Sequence, residues 1–384
     1  MRAIGRIALA SVTAFVAACV AAVAAPRIAA ADTMDPALAR FVTDNKCRLG
    51  GKGYGVYYNP KSNFTPCGQD DASFAKLVAQ YGVAIAPTAM HSARTTGYGG
   101  FQLAIEGAYT TIDNGTASTC TGSGAGCNYW QKGTQGAQDV STKNFSSVNQ
   151  NPPGLMQLYS LKITKGFPFG FELTGNLGYL AQTSIYTIGA DVRWSLFEGF
   201  RTGIPAIFPE LAVGGSVRTI TGTDQFQLTV ASADGQISKP IPIAGSLVLT
   251  PWIGYQFLRI FGDSGLIDLT PNTDAVNYCG FQGTQTPYTT QKGGPAAGKA
   301  ADGQPICKGT SADFNNTVVF NSVRLNRHRI VAGLQLRVQM IKLGGQFMYD
   351  VVDPGDANKP DSGVNLFKDV KRQMTMAVDL GAVF

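Results

Sequence analysis

Apolar and polar side chains alternate with a period of two from about residue 98 to the C-terminus. In one such run, Phe171, Leu173 and Leu177 stand at odd positions, and polar residues such as Glu172 stand at even ones. Because successive side chains of a strand point to opposite faces, this period predicts strands with one apolar and one polar face. Several runs have about 9 to 11 residues, the length of a tilted strand that crosses a bilayer.

The pattern predicts an all-β fold of about ten antiparallel strands, an even number that suits a single-chain up-and-down barrel. Twelve strands are the second choice, because 83–94 and 316–326 would each add a strand. With the C-terminus in the periplasm, the long connections 113–154, 261–318 and 353–367 fall outside the cell and the short ones inside. The predicted strands are 98–112, 155–165, 170–181, 185–197, 209–221, 224–233, 243–260, 319–340, 345–352 and 368–384.

Residues 32–95 lack this period and form a small mixed extension ahead of the predicted barrel domain, residues 96–384. Two stretches show helical spacing, one after Asp35 and one over 72–81, where Phe74 begins an apolar stripe. A polar, glycine-rich loop separates them. Two interpretations stay open, a periplasmic extension and a plug inside the barrel.

Residues 1–31 have the organisation of a signal peptide. Basic residues precede an apolar stretch over 7–23, and a run of alanines ends at Ala31. A membrane anchor is one alternative, because the stretch is long enough to span. A second alternative is a lipoprotein box ending at Cys19. Cleavage after Ala31 is favoured, because alanine dominates the stretch and a small-residue cleavage site follows it.

Removal of the leader leaves six cysteines, an even number that in an exported chain predicts disulfides. A metal site is disfavoured, because no Cys-x-x-Cys spacing and no nearby histidine occurs. We therefore expect neither a metal nor a cofactor. Pairing between sequence neighbours would join Cys47 with Cys67, Cys120 with Cys127, and Cys279 with Cys307.

Composition agrees with a two-faced sheet. Charged residues make up only 15% of the chain, while a mean hydropathy of +0.02 is too polar for a helical membrane protein. The net charge of +6 includes Arg2, Arg6 and Arg27 of the leader, so the mature chain has 31 − 3 = 28 basic residues against 25 acidic ones. No basic run or basic helix appears, and nucleic acid is not an expected partner.

The last strand carries the most regular alternation and ends on phenylalanine. Its apolar face includes Met376, Val378, Leu380, Ala382 and Phe384. Here the chain resembles bacterial outer-membrane β-barrel proteins as a class, over roughly 98–384, although no particular family is indicated. The resemblance implies location in the outer membrane, contact with its lipid, and recognition of this strand by the barrel assembly machinery.

A soluble β-sandwich would also alternate, but two features favour a barrel. Aromatic residues cluster beside predicted periplasmic turns or near strand ends, as an interfacial girdle would. In lipid, every backbone N–H and C=O must be paired within the protein, which only a closed sheet achieves with strands. The aromatic residues are Phe167, Phe169, Phe171, Trp194, Phe197, Phe200, Phe208, Phe347 and Tyr349.

Charged residues of both signs fall on the predicted inner face. They indicate either a narrow pore or conduit for a small polar solute, or a non-conducting barrel that displays disulfide-bonded loops for adhesion or structural contacts. Barrels of about eight strands have interiors filled by side chains, whereas barrels of about 16 or more enclose an open channel. A ten-stranded barrel is therefore expected to be closer to the filled case. The predicted lumen residues are Glu106, Glu172, Asp191, Arg193, Arg218, Arg329, Arg337 and Asp379, and Lys162, Asp350 and Lys371 share their parity or position.

An enzyme is the third hypothesis. The chain has two histidines, His91 and His328. His91 and Ser92 cannot form a catalytic pair on a strand, because adjacent side chains point to opposite faces. We therefore expect no catalytic residues, with His91 in a loop and His328 at a solvated rim.

Overall fold

The computed structural model describes residues 32–42, 68–88, 91–122, 124–137, 148–196, 209–244, 247–269, 317–360 and 363–384. The predicted signal peptide, with Cys19, lies outside these residues. So do Cys47, Cys67, Cys279 and Cys307.

The described residues form a closed antiparallel barrel of ten strands. Each strand pairs with its neighbours in sequence, and the last pairs with the first, which closes the sheet. The predicted up-and-down barrel is therefore confirmed. The strands are β1 (Phe101–Thr111), β2 (Leu155–Gly166), β3 (Phe171–Leu180), β4 (Tyr186–Ser195), β5 (Glu210–Thr221), β6 (Phe226–Ser238), β7 (Leu247–Ser264), β8 (Val323–Val338), β9 (Ile341–Asp350) and β10 (Met374–Val383).

The two ends of the barrel differ in their connections. The loop end carries the long segments 112–154, 265–322 and 351–373, whereas the turn end carries shorter ones and the C-terminal residue. One predicted turn, 234–242, is wrong in position, because β6 continues to Ser238 along the long partner β7. Another predicted turn, 341–344, is in fact the start of β9, and the chain reverses over the two residues that follow Val338.

The outer wall is largely apolar between the two ends of the strands. Side chains facing outward keep large exposed fractions, whereas those at alternate positions are buried inside the barrel, as β3 shows. This distribution is the reverse of a soluble protein's and matches strands that face lipid. The exposed apolar residues include Ile105, Ile163, Leu173, Leu177, Ile188, Val192, Val217, Ile253, Ile330, Leu334, Leu343, Val378 and Leu380.

Aromatic side chains border this apolar wall at both ends. Tyrosines mark the loop end, where Tyr109 lies against Tyr159 and Tyr179 against Tyr186, with ring centroids 6.4 and 5.3 Å apart. Phenylalanine and tryptophan mark the turn end, where Phe171 stacks on Trp194 at 5.6 Å. Phe101 and Phe384 lie 6.3 Å apart at the same end.

The described residues also contain three α-helices: α1 (Asp71–Ala84), α2 (Tyr129–Gly133) and α3 (Pro354–Ala357). Outside the barrel strands there are also short strands at Ile241–Ala244, Ile267–Asp268 and Thr317–Val318, and a 3₁₀ turn at Pro168–Gly170. Helix α1 covers the helix predicted at 72–81 and begins where Asp70 accepts a hydrogen bond from the Ser73 N–H. The helical stretch expected after Asp35 is only a 3₁₀ turn, Leu38–Arg40. Among the described residues, none of the helices combines the length and apolar character that a membrane crossing needs.

Candidate functional site

The barrel interior is filled by the N-terminal extension, which acts as a plug. We define the plug as residues 71–88 and 91–96. Inward-facing side chains of different strands hold its backbone: Arg193 of β4 donates to the Ser92 carbonyl at 2.9 Å and Arg218 of β5 to the Ala86 carbonyl at 3.2 Å. Of the described part of the predicted extension, residues 71–88 and 91–96 contact the inner face of the barrel, whereas residues 32–42 lie at the loop end.

Glycines at the contact between α1 and β7 allow the helix to pack closely inside the barrel. A Cβ on Gly82 would lie 2.6 Å from the Ile260 side chain of β7, and a Cβ on Gly262 would meet Val78. An eight-stranded barrel is about filled by its own side chains, and an α-helix with side chains is about 10–12 Å wide. Ten strands with small residues at the contact therefore make room for one helix.

A buried cluster anchors the plug just beyond α1. The Thr88 hydroxyl donates to Glu106 at 2.6 Å, and Lys162 donates to Thr88 at 2.8 Å. Lys162 also forms an ion pair with Glu106 at 2.5 Å. Further along, the Thr96 N–H donates to Glu172 at 2.8 Å. The plug is therefore bonded to β1, β2 and β3 through buried ionisable side chains of the barrel wall.

Buried ion pairs also link the strands to one another. Arg327 and Asp350 lie 2.8 Å apart with both side chains fully buried, and Lys342 and Asp379 lie 3.0 Å apart. Arg327 additionally donates to the Ala79 carbonyl of α1 at 3.4 Å. A charge removed from water needs such partners, because an isolated one carries a desolvation cost of several kcal/mol.

The structure brings seven of the eight predicted lumen residues to the inside of the wall around the plug. Glu106, Glu172, Arg193, Arg218, Arg329 and Asp379 are buried there, and Asp191 lines a small cavity beside Arg193. The eighth, Arg337, lies at the turn end of β8 and lines a larger cavity.

One positional prediction is wrong. Lys371 does not face the lumen; it precedes β10, is 72% exposed and pairs with Asp113 at 2.9 Å. His328 lies on the outer face of β8, five residues from its first residue at the loop end, where it bonds the Tyr255 hydroxyl and packs against Phe257. Arg327, which was not among the predicted lumen residues, also faces the lumen, and its parity with Arg329 was the signal that could have found it.

The loop end is closed by an ordered cap, defined as residues 32–42, 112–122, 124–137, 148–154 and 317–322. Within it Arg40 donates to the Thr134 carbonyl at 2.6 Å. The predicted Cys120–Cys127 disulfide is present, and it lies in this cap. A reciprocal capping pair between Asn128 and Gln131 begins α2.

An apolar core joins the cap to the plug. Phe74 of α1 stacks on Phe320 of the cap at 5.0 Å, and Tyr81 of α1 lies 4.8 Å from Trp130. Tyr81 also packs on Phe226 of β6 at 5.6 Å. These side chains are at most 2% exposed. The loop end of the lumen is therefore filled by a continuous hydrophobic core, whereas the turn end is lined by polar and charged groups.

The contact between the cap and the β3–β4 connection should depend on pH through Asp35. Burial raises the pKa of Asp35 above its usual 3.8, although hydrogen bonds from Ser184 and Asp32 oppose this. Because the pKa of Asp35 is raised in the folded state, the contact contributes its full stability below about pH 4. This contribution to the free energy of unfolding is lost as pH rises through the raised pKa. We expect urea unfolding of the wild type to show this loss of stability and Asp35→Asn to flatten it. Equal pH slopes for both proteins would contradict the assignment.

The described residues contain no group of three or more histidine, cysteine, aspartate or glutamate side chains placed to hold a metal ion.

No protein-family model matches the chain, and no curated protein matches it.

Among solved structures, the chain is similar to Ail, the attachment invasion locus protein of Yersinia pestis, in complex with the heparin analogue sucrose octasulfate. The TM-score is 0.23 at 10% identity, over 75% of this chain and 99% of that one. A second structure of Ail gives a TM-score of 0.22 at 11% identity, with the same coverage. A double mutant of the Serratia marcescens hemophore receptor HasR, in complex with HasA and heme, gives 0.17 at 13% identity, over 73% and 41% of the two chains.

Proposed function

We propose that this protein is an integral outer-membrane β-barrel, sealed by its own N-terminal plug, that presents the cap to the cell exterior as a contact surface. The observation that carries the proposal is the apolar core between α1 and the cap. Phe74, Phe320 and Trp130 fill the lumen at the loop end with side chains that exclude water. A solute could pass only if this core were taken apart.

The outer wall supports location in a membrane. The two aromatic borders on β4 are separated by the eight residue-to-residue steps from Tyr186 to Trp194, which at a rise of about 3.3 Å and a tilt of about 40° span roughly 20 Å. The apolar band of outer-membrane barrels is about 25 Å tall and is flanked by aromatic girdles. The C-terminal Phe384, at the turn end, is the residue through which we propose recognition by the assembly machinery.

A gated conduit is the second candidate function. Several polar side-chain atoms of the lumen wall are buried without a hydrogen-bond partner, among them atoms of Asn176, Arg218, Arg329 and Gln346. A purely structural filling would be expected to satisfy them, because an unpaired buried polar group costs about 1–3 kcal/mol. These atoms would line a pathway if the plug left the barrel. A catalytic role is not part of either proposal, since His91 and His328 lie on opposite faces of the wall.

Planar-bilayer recording of the full chain separates the two functions. Folded protein, verified by its altered migration on unheated detergent gels, should give no conductance steps if the barrel is sealed. Stable unitary conductance from the wild type would overturn the sealed barrel and favour the conduit.

The contact surface is tested on intact cells. Replacement of the disulfide loop 120–127 by a short glycine–serine turn should abolish adherence and leave insertion of the barrel unchanged. The matched control shortens the turn-end connection 239–246, which faces the periplasm in this proposal. Adherence that survives the loop replacement would count against the cap as the contact surface.

A further inference from the structure

A cavity of about 300 Å³ lies at the turn end of the lumen, beneath the plug. We call it the vestibule. Pro240, Gln339 and Val383 mark its position at the turn end, and His91 and Thr96 of the plug form its roof. Its volume is at the lower limit of cavities that bind small molecules, which span about 300–1,000 Å³.

The charge of the vestibule lining is predominantly positive. Arg94 of the plug, Arg337 of β8 and Lys342 of β9 line it, against the single carboxylate of Glu172. That carboxylate already accepts from the Thr96 N–H at 2.8 Å and lies 4.0 Å from Arg193. Lys342 is paired as well, with Asp379 at 3.0 Å. Among the described residues, Arg94 and Arg337 therefore give the lining its net positive charge, in a partly enclosed space where screening by solvent is reduced.

Neutral donors complete the lining. The Nδ1 atom of His91 and the hydroxyl of Thr96 are buried and have no hydrogen-bond partner. A hydroxyl can donate, and so can an imidazole nitrogen that carries a proton. Gln102 and Gln335 add amide groups to the same cavity. Guanidinium groups with hydroxyl and amide donors are the set that recognises carboxylate and phosphate oxygens.

We propose that the vestibule binds a small multivalent anion that carries carboxylate or phosphate groups. The binding face is the turn end, which is accessible from the periplasm in the orientation proposed above. The ligand contacts Arg94 and Arg337 by charge-assisted hydrogen bonds and reaches the unpaired groups of His91 and Thr96. Binding does not require passage through the barrel, so the site is compatible with a sealed lumen.

The experiment is isothermal titration of the full chain in detergent with citrate and with inorganic phosphate, at constant ionic strength. Both probes are multivalent anions of the two chemistries, and acetate and spermidine serve as the monovalent and cationic controls. We expect saturable binding of citrate or phosphate, weaker binding of acetate and none of spermidine. Arg337→Gln and Arg94→Gln should each weaken binding about tenfold, the effect of losing one charge-assisted contact.

Arg324→Gln is the matched control, because Arg324 lies on the same strand as Arg337 but pairs with Asp263 near the loop end. It should bind the anion as the wild type does. Absence of saturable binding, or equal affinity in all three arginine variants, would overturn the proposal. Neither result bears on conductance, so failure of this site and failure of the sealed barrel are distinguishable.

Discussion

Replacement of Arg327 by methionine is expected to lower the free energy of unfolding by about 3–5 kcal/mol. Arg327 is 1% exposed and bonds Asp350 at 2.8 Å and the Gln373 side chain at 3.0 Å. Methionine fills much of the volume but leaves the Asp350 carboxylate buried without its cation. The size of the expected loss comes mainly from the cost of burying the unpaired carboxylate, and less from the lost attraction between Arg327 and Asp350. Urea unfolding in lipid vesicles, followed by tryptophan fluorescence, measures it.

Two further variants separate this cause from a general loss of packing. The double variant Arg327→Met with Asp350→Leu should be more stable than Arg327→Met alone, because both charges leave the interior together. Arg324→Gln removes an exposed pair on the same strand, with Asp263 at 3.0 Å, and should cost about 0–1 kcal/mol. If Arg327→Met lowered the free energy of unfolding no more than Arg324→Gln does, the Arg327–Asp350 pair would not stabilise the fold as its burial and distance indicate.

The barrel could be predicted from the sequence because its alternation is imposed by the surroundings. Lipid outside and polar groups inside place every residue of a strand in one of two environments, so β10 shows the pattern with few exceptions. The positions of the turns were harder to predict than the strands. Asp234 and Gly235 have the composition of a turn, yet they lie within β6, opposite Gln256 and Tyr255. The length of the partner strand β7 decides this, and it is a non-local property.

Proline shows the same dependence on context. Proline within a run argues against a central strand, but Pro251 lies within β7 opposite Leu334. Its carbonyl accepts from the Lys239 N–H at 3.3 Å. Proline has no N–H group, so it fits a β-ladder at a position where only its carbonyl forms a hydrogen bond. The neighbouring strands set the register, and the register determines whether a position has this property.

The location of the extension could not be predicted for a similar reason. Whether residues 71–88 and 91–96 enter the lumen depends on the space between strands and on glycines that let other elements approach closely, Gly82 against Ile260 and Gly262 against Val78. The inward position of Asp379 followed from parity, but its partner Lys342 is on another strand and required the register. Alternation determines which side a charge faces, and register determines which charge it meets.

Phe74→Ala is expected to remove about 3–5 kcal/mol from the packing of the plug against the cap. Phe74 is fully buried, stacks on Phe320 at 5.0 Å and lies on α1, not on a strand. The barrel keeps its closed backbone ladder, so the loss should appear first as local opening of the plug. Hydrogen exchange should speed up in residues 71–84 by a factor of about a hundred or more, while the strands exchange as before.

The same variant tests whether the apolar core is the seal. The matched control, Phe171→Ala, removes an equal side chain from the outer wall, where Phe171 is 43% exposed and stacks on Trp194. We expect Phe74→Ala to give intermittent conductance in planar bilayers and Phe171→Ala to stay silent. Faster exchange of α1 without any conductance would show that the polar contacts of Thr88 and Arg193 close the barrel on their own. The seal would then lie in the turn-end half of the lumen, and the core beneath the cap would serve only to order the cap.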